Sequence, residues 1–359
     1  MRVGVIGCGA IATRAHLPAF KSLPNVELQA VADVNEKMAR TAAKKFGIPN
    51  SYTDYKKMLR DPSIDLVSIC TPSPTHTEVA IEAAKNGKHL FIEKPLALTV
   101  RGAQMILNMA KENNVKLCVV HNYRYFPAMK EVKRRIDLGN LGRIVTIQGI
   151  AHTRIPLQWT ASTWLYHKGG ALDDFGPHLI DSILWLVNSK IEKVCAFGGD
   201  FLGKMNCTNY IQILMRFENR TVATADISWL TGRITFALNV HGTGGYISIE
   251  SDLKNFFFND PIETHGLPTP LDDLRNLSKK TISLTKKTIS GKFFKGALAF
   301  YGTIIKEFIN SIEKGTKVPV SGEEALQVVA VSEAAKLSLA EDRSVAVKEL
   351  FVKTKNITG

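Results

Sequence analysis

Two patterns of apolar and polar residues follow one another along this chain. Up to about residue 120, short continuous apolar runs alternate with amphipathic helical segments at about 36–46, 75–86 and 100–113. The runs are RVGVIG, VELQAVAD, DLVSIC, KHLFIE and KLCVV. Continuous apolar strands are typically covered on both faces, and alternation with helices indicates parallel crossover connections. The pattern predicts a doubly wound α/β domain.

From about residue 143, longer strand-like segments follow one another with only turns between them. They are RIVTIQGIAHT, KVCAFGGDF, NYIQILMRF, TVATADISW, RITFALNVHG and GYISIE. Successive strands without intervening helices predict a largely antiparallel sheet. One helical segment at 172–187 precedes most of these strands, and two more, near 298–314 and 323–340, close the chain. We therefore expect a second, α+β domain, with the crevice between the domains as the binding site.

The first strand leads into a glycine motif. VGVIGCGAIATRAHLPAF carries G-x-G-x-x-A at the start of a helical segment. Gly7 permits a tight turn, Gly9 lets a diphosphate approach the backbone, and Ala12 is small enough for close packing of helix on strand. Backbone N–H groups at the helix start, at Ala10 and Ile11, favour an anionic ligand. Between a strand and a helix, the motif predicts a dinucleotide site, although a turn without a ligand remains the alternative.

The second apolar run ends in an acidic residue, Asp33, about twenty residues after the glycine motif. A carboxylate at this position accepts hydrogen bonds from ribose hydroxyls and repels a 2′-phosphate. The sequence therefore favours NAD over NADP, although Lys37 could still assist a phosphate.

Two more loops follow strand ends, where ligands bind open α/β sheets. One is CTPSPTH, after the run DLVSI, and the other is EKP, after KHLFI. A lysine is costly to bury, and a proline cannot continue the hydrogen-bond ladder of a sheet. Their position at the end of an apolar strand therefore favours a functional role. Ordinary turn chemistry is the alternative. We expect the loops to face the nicotinamide half of the cofactor, through Thr71, Pro72, His76, Glu93 and Lys94.

The segment WLYHKGGALDDFGPHLIDSILWL contains a second concentration of polar residues. Asp174 and His178 are four residues apart and would share one helix face. A neighbouring carboxylate orients an imidazole and raises its pKa, as a proton acceptor for a hydroxyl group requires. We expect glycines at the start of this helix to let a ligand come close, namely Gly169, Gly170 and Gly176. A helix-capping aspartate and a solvated histidine remain the alternative.

In this order, G-x-G-x-x-A, CTPSPTH, EKP, NYRYFP and GGALDDFGPHLID resemble the glucose–fructose oxidoreductase and inositol dehydrogenase (Gfo/Idh/MocA) family over about residues 1–250. The closing VSGEEALQVVAVSEAAKLSLAEDRSVAV is also similar to the end of that family. The resemblance implies a Rossmann domain over 1–121 and an open-sheet α+β domain over 122–359, whose last helices can pack back on the first domain. It also implies homodimers or homotetramers formed through the exposed sheet face.

The resemblance implies nicotinamide-dependent hydride transfer at a hydroxyl or carbonyl of a sugar, cyclitol or nucleotide-linked sugar. Carried over residue by residue, Lys94 would donate to the substrate oxygen, His178 would take the hydroxyl proton, and Asp174 would steady the imidazolium. Glu93 and Pro95 would hold Lys94 in place. The expected substrate contacts are Tyr123, Arg124, Trp164 and Lys168. A non-catalytic dinucleotide-sensing regulator on the same fold is the alternative, although it would need no proton acceptor.

The formal net charge of +13 suits an anionic partner, or serves solubility alone. No nucleic-acid motif accompanies the charge, so we expect no nucleic acid. Residues 252–296 depart from the family pattern and contain the basic stretch LDDLRNLSKKTISLTKKTISGKFFKG. Its spacing fits membrane contact through 271–296 or a cover over a polyanionic substrate, and we favour a solvated amphipathic helix or a lid packed on its own domain. The charge slightly favours a phosphorylated or nucleotide-linked sugar over a free one.

Further features concern the cell compartment and metal binding. The chain starts directly in a strand-like run and contains no apolar stretch of about 20 residues, so we expect neither a signal peptide nor a membrane span. The cysteines have neither metal-ligand nor disulfide-framework spacing. We expect no metal and a cytoplasmic protein with reduced, buried thiols at Cys8, Cys70, Cys118, Cys195 and Cys207.

Overall fold

The computed structural model describes residues 1–154, 164–203, 205–251, 256–259 and 295–355. The chain folds into two compact units. The first comprises Met1–Tyr125 and Gly296–Ala330, and the second comprises Phe126–Lys295 and Val331–Gly359. Each unit is built around its own sheet.

The first unit contains a six-stranded parallel sheet in the order β3-β2-β1-β4-β5-β6. Its central strands are buried along almost their whole length, because helices cover both faces of the sheet. This is the doubly wound order of the Rossmann fold, which confirms the predicted fold class. The strands are β1 Arg2–Ile6, β2 Glu27–Ala32, β3 Asn50–Tyr52, β4 Leu66–Ile69, β5 His89–Ile92 and β6 Leu117–Val119.

Local signals in the sequence place the helices of this unit. Asn35 caps one helix by accepting the N–H of Met38 at 3.2 Å, and Gly47 ends that helix in the left-handed conformation at φ 68°. Thr99 caps another by accepting the N–H of Gly102 at 3.1 Å. The helices are α1 Leu17–Lys21, α2 Glu36–Phe46, α3 Tyr55–Leu59, α4 His76–Lys85 and α5 Val100–Glu112. The patterns at 36–46, 75–86 and 100–113 thus form helices, whereas β3 and α3 were not anticipated.

The second unit contains an eight-stranded sheet in the order β13-β12-β11-β7-β10-β9-β8-β14, where β14 is the short strand Val345–Ala346. All neighbouring strands are antiparallel except β10 and β7. Buried and exposed residues alternate along its strands, as in a sheet with one covered face. The predicted open, largely antiparallel sheet is confirmed. Its strands before the closing helices are β7 Ile144–Arg154, β8 Ile191–Gly199, β9 Tyr210–Phe217, β10 Val222–Ser228, β11 Leu230–Gly242, β12 Gly245–Ser251 and β13 Phe256–Asn259.

A helix pair covers the buried face of this sheet. The unit begins with α6 Pro127–Asp137, and the predicted helix at 172–187 is in fact two helices, α7 Ala171–Asp174 and α8 Gly176–Val187. Pro177 lies in the first turn of α8, where its missing N–H costs nothing and its fixed φ starts a new helix. The prediction of one continuous helix was therefore wrong. Gly149 of β7 leaves room for α8: a Cβ there would lie 2.6 Å from Leu179 Cδ1.

Three closing helices and a short strand complete the described chain: α9 Lys295–Lys314, α10 Gly322–Glu341, β14 Val345–Ala346 and α11 Lys348–Lys355. Helix α9 supplies buried apolar residues to the core of the first unit, including Ile304, Ile305 and Phe308. The rings of Phe91 and Phe308 stack at 5.8 Å. A segment near the end of the sequence thus completes the core that β1–β6 begin.

Most of the atypical basic segment at 252–296 lies outside the described residues, apart from β13 and the first residues of α9. The predicted membrane-facing or lid-like helix at 271–296 is therefore outside the described part as well. Among the helices that the structure describes, none is both long enough and apolar enough to cross a bilayer.

Two glycines of β11 give a matched test of the packing. A Cβ on Gly242 would lie 1.9 Å from the carbonyl oxygen of Leu141, whereas a Cβ on Gly232 meets no described atom within 4 Å. We expect Gly242→Ala to lower the free energy of unfolding by about 1–3 kcal/mol, because the backbone of Leu141 must move. Gly232→Ala should change it by less than about 0.5 kcal/mol. Urea denaturation measures both, and equal midpoints for the two variants would contradict the packing described.

Candidate active site

The dinucleotide turn is held against the ends of two neighbouring strands. Gly7 has φ +92°, and a Cβ there would lie 2.7 Å from the carbonyl carbon of Cys70. Its N–H donates to the carbonyl of Ala32 at 2.8 Å. Only glycine meets both the left-handed φ and the close approach. The turn therefore lies at the carboxyl edge of the sheet, beside the CTPSPTH loop.

The second glycine of the motif faces open space. A Cβ on Gly9 would meet no described atom within 4 Å. The chain becomes helical immediately afterwards, with one π-helical turn over Ala12–His16 before α1. Ala12 is fully buried, so its small side chain serves helix packing. Backbone N–H groups and an open volume thus stand together, as a bound diphosphate requires.

Asp33 is fixed by the backbone around it. Its Oδ2 accepts the N–H of Cys8 at 2.7 Å, and its Oδ1 accepts the N–H of Asn35 at 2.8 Å. Each carboxylate oxygen has a second lone pair, so the group can still accept hydrogen bonds from ribose hydroxyls. Burial, together with Asp33 and Cys70, raises the pKa of the Cys8 thiol to about 12, so this cysteine stays protonated and unreactive.

His76 joins the two loops that were predicted to face the cofactor. Its ring is fully buried, with Nδ1 2.8 Å from the carbonyl oxygen of Pro95 and Nε2 2.9 Å from that of Thr71. The two carbonyl contacts favour the protonated form of His76, but burial outweighs them, so the pKa of His76 is lowered. Because both nitrogens face backbone oxygens of its own chain, His76 supports the cofactor loops rather than presenting a polar atom to a ligand. Thr71 in turn accepts the hydroxyl of Thr75 at 2.8 Å.

Glu93 is a buried carboxylate whose two oxygens face different groups. The residue is 6% exposed; Oε1 lies 2.8 Å from His16 Nε2 and accepts the Tyr301 hydroxyl at 3.2 Å. Oε2 accepts the backbone N–H of Lys94 at 3.2 Å. The next peptide bond, Lys94–Pro95, is cis. The carboxylate therefore supports the Lys94 backbone, and the half-buried Lys94 side chain begins at the carboxyl end of β5.

The charge state of this pair follows from its contacts. Burial alone would raise the pKa of Glu93, but the hydrogen bond and charge of His16 outweigh burial and lower it. Burial alone would lower the pKa of His16, but Cys70 and Glu93 outweigh that effect and raise it to about 10. At neutral pH the pair is therefore an imidazolium beside a carboxylate.

The predicted catalytic residues of the second unit lie on either side of the helix break. Asp174 is the last residue of α7, and its Oδ2 accepts the indole N–H of Trp229 at 3.1 Å. His178 lies in the first turn of α8, with the ring of Phe175 edge-on at 5.9 Å. The aspartate is thus oriented by a buried tryptophan from the end of β10.

The glycines before this helix serve the protein's own packing. A Cβ on Gly170 would lie 2.3 Å from the carbonyl oxygen of Thr208, and one on Gly176 would lie 3.0 Å from Leu172 Cδ1. A Cβ on Gly169 would lie 2.8 Å from the Trp164 ring. A side chain at any of these positions would meet other parts of the chain, so the protein's own packing already requires glycine here.

The four predicted substrate contacts have different environments. Tyr123 and Arg124 are buried, and Arg124 Nη1 forms a 2.6 Å ion pair with Glu324 within the first unit. Burial would raise the pKa of Glu324, but Arg124 outweighs it and lowers that pKa. Arg124 thus has a structural partner. Trp164 is half-buried and Lys168 is exposed.

Sequence reasoning missed three polar residues beneath the Lys94 loop, namely His16, Ser68 and Tyr301. His16 Nδ1 lies 2.8 Å from Ser68 Oγ, and all three are buried. A histidine on the same helix stripe as Ala12 and Ala15 was a usable signal for His16. No local pattern marks Tyr301, since its partner Glu93 lies 208 residues away.

All five cysteines are free thiols. Four are buried as expected, whereas Cys195 is half-buried, because its strand β8 presents it on the less covered face.

Comparisons with known proteins agree with this geometry. Residues 1–121 match an oxidoreductase family with an NAD-binding Rossmann fold, and residues 129–248 match the GFO/IDH/MocA C-terminal domain. The levoglucosan dehydrogenase of Pseudarthrobacter phenanthrenivorans is 30% identical over 313 residues, covering 75% of this chain and 79% of that protein. The myo-inositol 2-dehydrogenase of Thermotoga maritima is 26% identical over 355 residues, covering 98% of this chain and 100% of that protein.

A solved structure shows the same fold. The WlbA dehydrogenase from Bordetella pertussis, in complex with NADH and UDP-GlcNAcA, has a TM-score of 0.82 at 22% identity and covers 96% of this chain and 97% of its own. The glycine turn, the aspartate that follows β2 and both matching regions lead to one assignment: this chain is an NAD-binding oxidoreductase and belongs to the Gfo/Idh/MocA family.

Proposed function

We propose that this protein is a dehydrogenase that transfers hydride between NAD and a hydroxyl-bearing carbon of a sugar, cyclitol or nucleotide-linked sugar. The observation that carries the proposal is the position of Lys94. Lys94 follows β5 at the sheet edge where the dinucleotide turn lies. Its neighbours Glu93 and Pro95 each contact a buried histidine, His16 and His76 respectively. A cation fixed at that edge suits an oxygen that gains negative charge during the reaction.

The residues at this edge fit a bound dinucleotide. Gly9 borders a volume that a larger side chain would fill, and the carboxylate of Asp33 is held in place by two backbone N–H groups. Gly7, Gly9, Ala10, Ile11 and Ala12 would receive the diphosphate, Asp33 the ribose, and Thr71 with Pro72 the nicotinamide side. Glu93 and His76 would support the Lys94 loop from beneath. When bound, NAD⁺ is the hydride acceptor.

The protein's own groups would handle the proton and the developing charge. Oxidation of an alcohol to a carbonyl breaks one C–H and one O–H bond of the substrate. In the proposal, His178 takes the hydroxyl proton, Asp174 stabilises the imidazolium, and the Lys94 ammonium donates to the substrate oxygen. In the reverse direction the same groups return the proton. The Trp229 indole N–H supports this assignment, since it fixes the carboxylate of Asp174.

Two observations support the substrate class. Relatives include a levoglucosan dehydrogenase and a myo-inositol 2-dehydrogenase, which act on polyhydroxylated rings by name. The net charge of +13 favours substrates that carry phosphate or nucleotide groups. We keep Tyr123, Trp164 and Lys168 as substrate contacts and assign Arg124 to its ion pair with Glu324.

We also propose that the protein forms homodimers or homotetramers through the less covered face of the eight-stranded sheet. Register places Phe197 and Leu214 on this face, and they are 65% and 48% exposed. Tyr246 stacks on His241 at 5.6 Å on the same face. Exposed apolar side chains on a broad sheet suit a self-complementary contact.

The two motif glycines should separate cofactor binding from folding. Gly9→Ala fills space where no described atom lies, so it should raise the Kd for NADH about tenfold while leaving the melting temperature unchanged. Gly7→Ala should lower the melting temperature, because φ +92° and the Cys70 backbone exclude a side chain. NADH fluorescence titration and thermal melting measure the two effects, with Gly232→Ala as the control. Unchanged NADH affinity in Gly9→Ala would remove Gly9 from the cofactor site.

Lys94 and His178 should be needed for turnover but not for cofactor binding. We expect Lys94→Ala and His178→Ala each to lower kcat by about 10²- to 10⁴-fold, the range for a lost acid, base or charge-stabilising group. The Kd for NADH should stay within about threefold of wild type. A substrate panel of inositols, phosphorylated sugars and UDP-sugars, followed by NADH absorbance, provides the measurement. Full activity in both variants refutes the assignment, and tight NADH binding without any turnover favours a dinucleotide sensor.

Leu214 tests the assembly proposal. Leu214→Arg places a charge within the proposed contact and should convert the oligomer into a monomer, as measured by light scattering after size exclusion. Val352→Arg, at an exposed position of α11, is the matched control and should leave the mass unchanged. A wild-type monomer, or an unchanged mass in Leu214→Arg, would rule out this face.

A further inference from the structure

A buried polar cluster connects the dinucleotide-binding helix to the Lys94 loop. It consists of His16, Ser68, Glu93 and Tyr301, which come from four separate segments of the first unit. His16 is the last residue of the π-helical turn that follows the glycine motif. Such turns are rare and are frequently found at functional sites. This one brings the imidazole under the carboxyl ends of β4 and β5.

The imidazole is held on all sides. His16 is 0% exposed, and its ring lies 5.6 Å from Phe91, edge-on, and 5.1 Å from Tyr301. Nδ1 lies 2.8 Å from Ser68 Oγ, and Nε2 lies 2.8 Å from Glu93 Oε1. An ionised carboxylate only accepts hydrogen bonds, so Nε2 carries a proton. The ring therefore has one orientation available to it.

The contact continues from Glu93 to Lys94. Tyr301 donates a second hydrogen bond to Oε1, and Oε2 accepts the backbone N–H of Lys94. If the carboxylate rotated, it would lose the bonds on both of its oxygens. The donors to Oε1 thus fix the direction of Oε2, and Oε2 fixes the peptide group that leads to the Lys94 side chain.

Stability alone does not account for such an arrangement. Burying a charged pair costs several kcal/mol of desolvation, and apolar residues of similar volume often give equal or greater stability. A fixed, fully paired carboxylate does, however, hold a neighbouring group in a defined position, as supporting residues do in well-organised sites.

We propose that His16 is a positioning residue: through the Glu93 carboxylate it holds the main chain of Lys94, and thereby couples the dinucleotide-binding helix to the placement of the Lys94 ammonium. The inference rests on the proposed function only in giving that ammonium a role in turnover. The contacts themselves belong to the first unit and hold whatever the substrate is.

Two amide substitutions separate the two bonds of His16. The amide nitrogen of glutamine reaches about as far as Nε2, so His16→Gln can still donate to Glu93. Asparagine reaches only as far as Nδ1, so His16→Asn keeps the contact with Ser68 and leaves Glu93 without this donor. The two variants are similar in polarity and differ in the partner to which they can hydrogen-bond, Glu93 for His16→Gln and Ser68 for His16→Asn.

We expect His16→Asn to lower kcat by about 10- to 100-fold, as for a catalytic group displaced by about 1 Å, with the KM for NAD⁺ within about threefold of wild type. His16→Gln should keep kcat within about threefold of wild type. His89→Asn is the matched control. His89 begins β5, at the end of the strand opposite to Glu93, and its Nδ1 accepts the N–H of Lys116 at 3.0 Å. Equal kcat in both His16 variants would overturn the proposal, whether both are active or both are impaired.

A second measurement does not depend on turnover. The rate at which N-acetoxysuccinimide acylates Lys94, read by mass spectrometry against the exposed Lys37, should change at least about threefold in His16→Asn and less in His16→Gln. If the wild-type protein turned over no substrate of the panel while the acylation rate of Lys94 still changed in His16→Asn, that result would refute the proposed function and support the positioning role. An unaltered rate in His16→Asn, with NADH binding intact, would refute the positioning role alone.

The charge on His16 gives a pH signature. Among the described residues, the ionisable groups beside its ring include Glu93, Cys70 and Tyr301. Because the pKa of His16 is raised from 6.5 to about 10 on folding, its stabilising effect is complete below pH 6.5 and is lost as the pH rises towards 10. The difference in unfolding free energy between wild type and His16→Gln should therefore shrink between these values. A constant difference would show that the ring is neutral in the fold.

Discussion

The first unit is organised around one requirement, which is that the buried carboxylate of Glu93 must have hydrogen-bond donors on its oxygens. A buried negative charge is tolerated only when its oxygens are paired, and here the donors come from the π-helical turn near residue 16, from α9 and from the backbone of Lys94. Those elements meet only if the parallel sheet has the observed strand order and α9 returns to it. One charge therefore requires the whole tertiary arrangement around the carboxyl ends of β4 and β5.

The second unit satisfies a different constraint, which is close approach between covered layers. Glycines lie where α7 and α8 pack against the sheet and the neighbouring backbone. Gly149 leaves room for the side chain of Leu179, and Gly170 lies against the backbone of Thr208. This packing holds Asp174 where the indole of Trp229 can reach it. Close backbone packing thus holds α7 and α8 against the sheet, and the Trp229 indole N–H orients the carboxylate of Asp174.

Much of this architecture was predictable because its causes are local. Continuous apolar runs gave β1, β2, β4, β5 and β6, and the spacing of Gly7, Gly9 and Asp33 located the dinucleotide turn. The break before α8 also had a local sign in Gly176-Pro177, which helical periodicity obscured. His16 and Tyr301 are different: the helix stripe could have indicated that His16 is buried, but the roles of both residues follow only from their contacts with Glu93. Pairings between distant segments leave no trace in the periodicity of either segment.

Helix α9 has a consequence for how the chain is made. Its residues Ile304, Ile305 and Phe308 lie in the same core as Val3 and Val5, so the nucleotide-binding unit is discontinuous in sequence. During synthesis the amino-terminal sheet emerges early, yet one flank of Phe91 stays uncovered until more than 200 further residues have left the ribosome. Exposed apolar surface of this kind invites aggregation or chaperone binding, which makes the nascent chain, rather than the finished protein, the form most in need of protection.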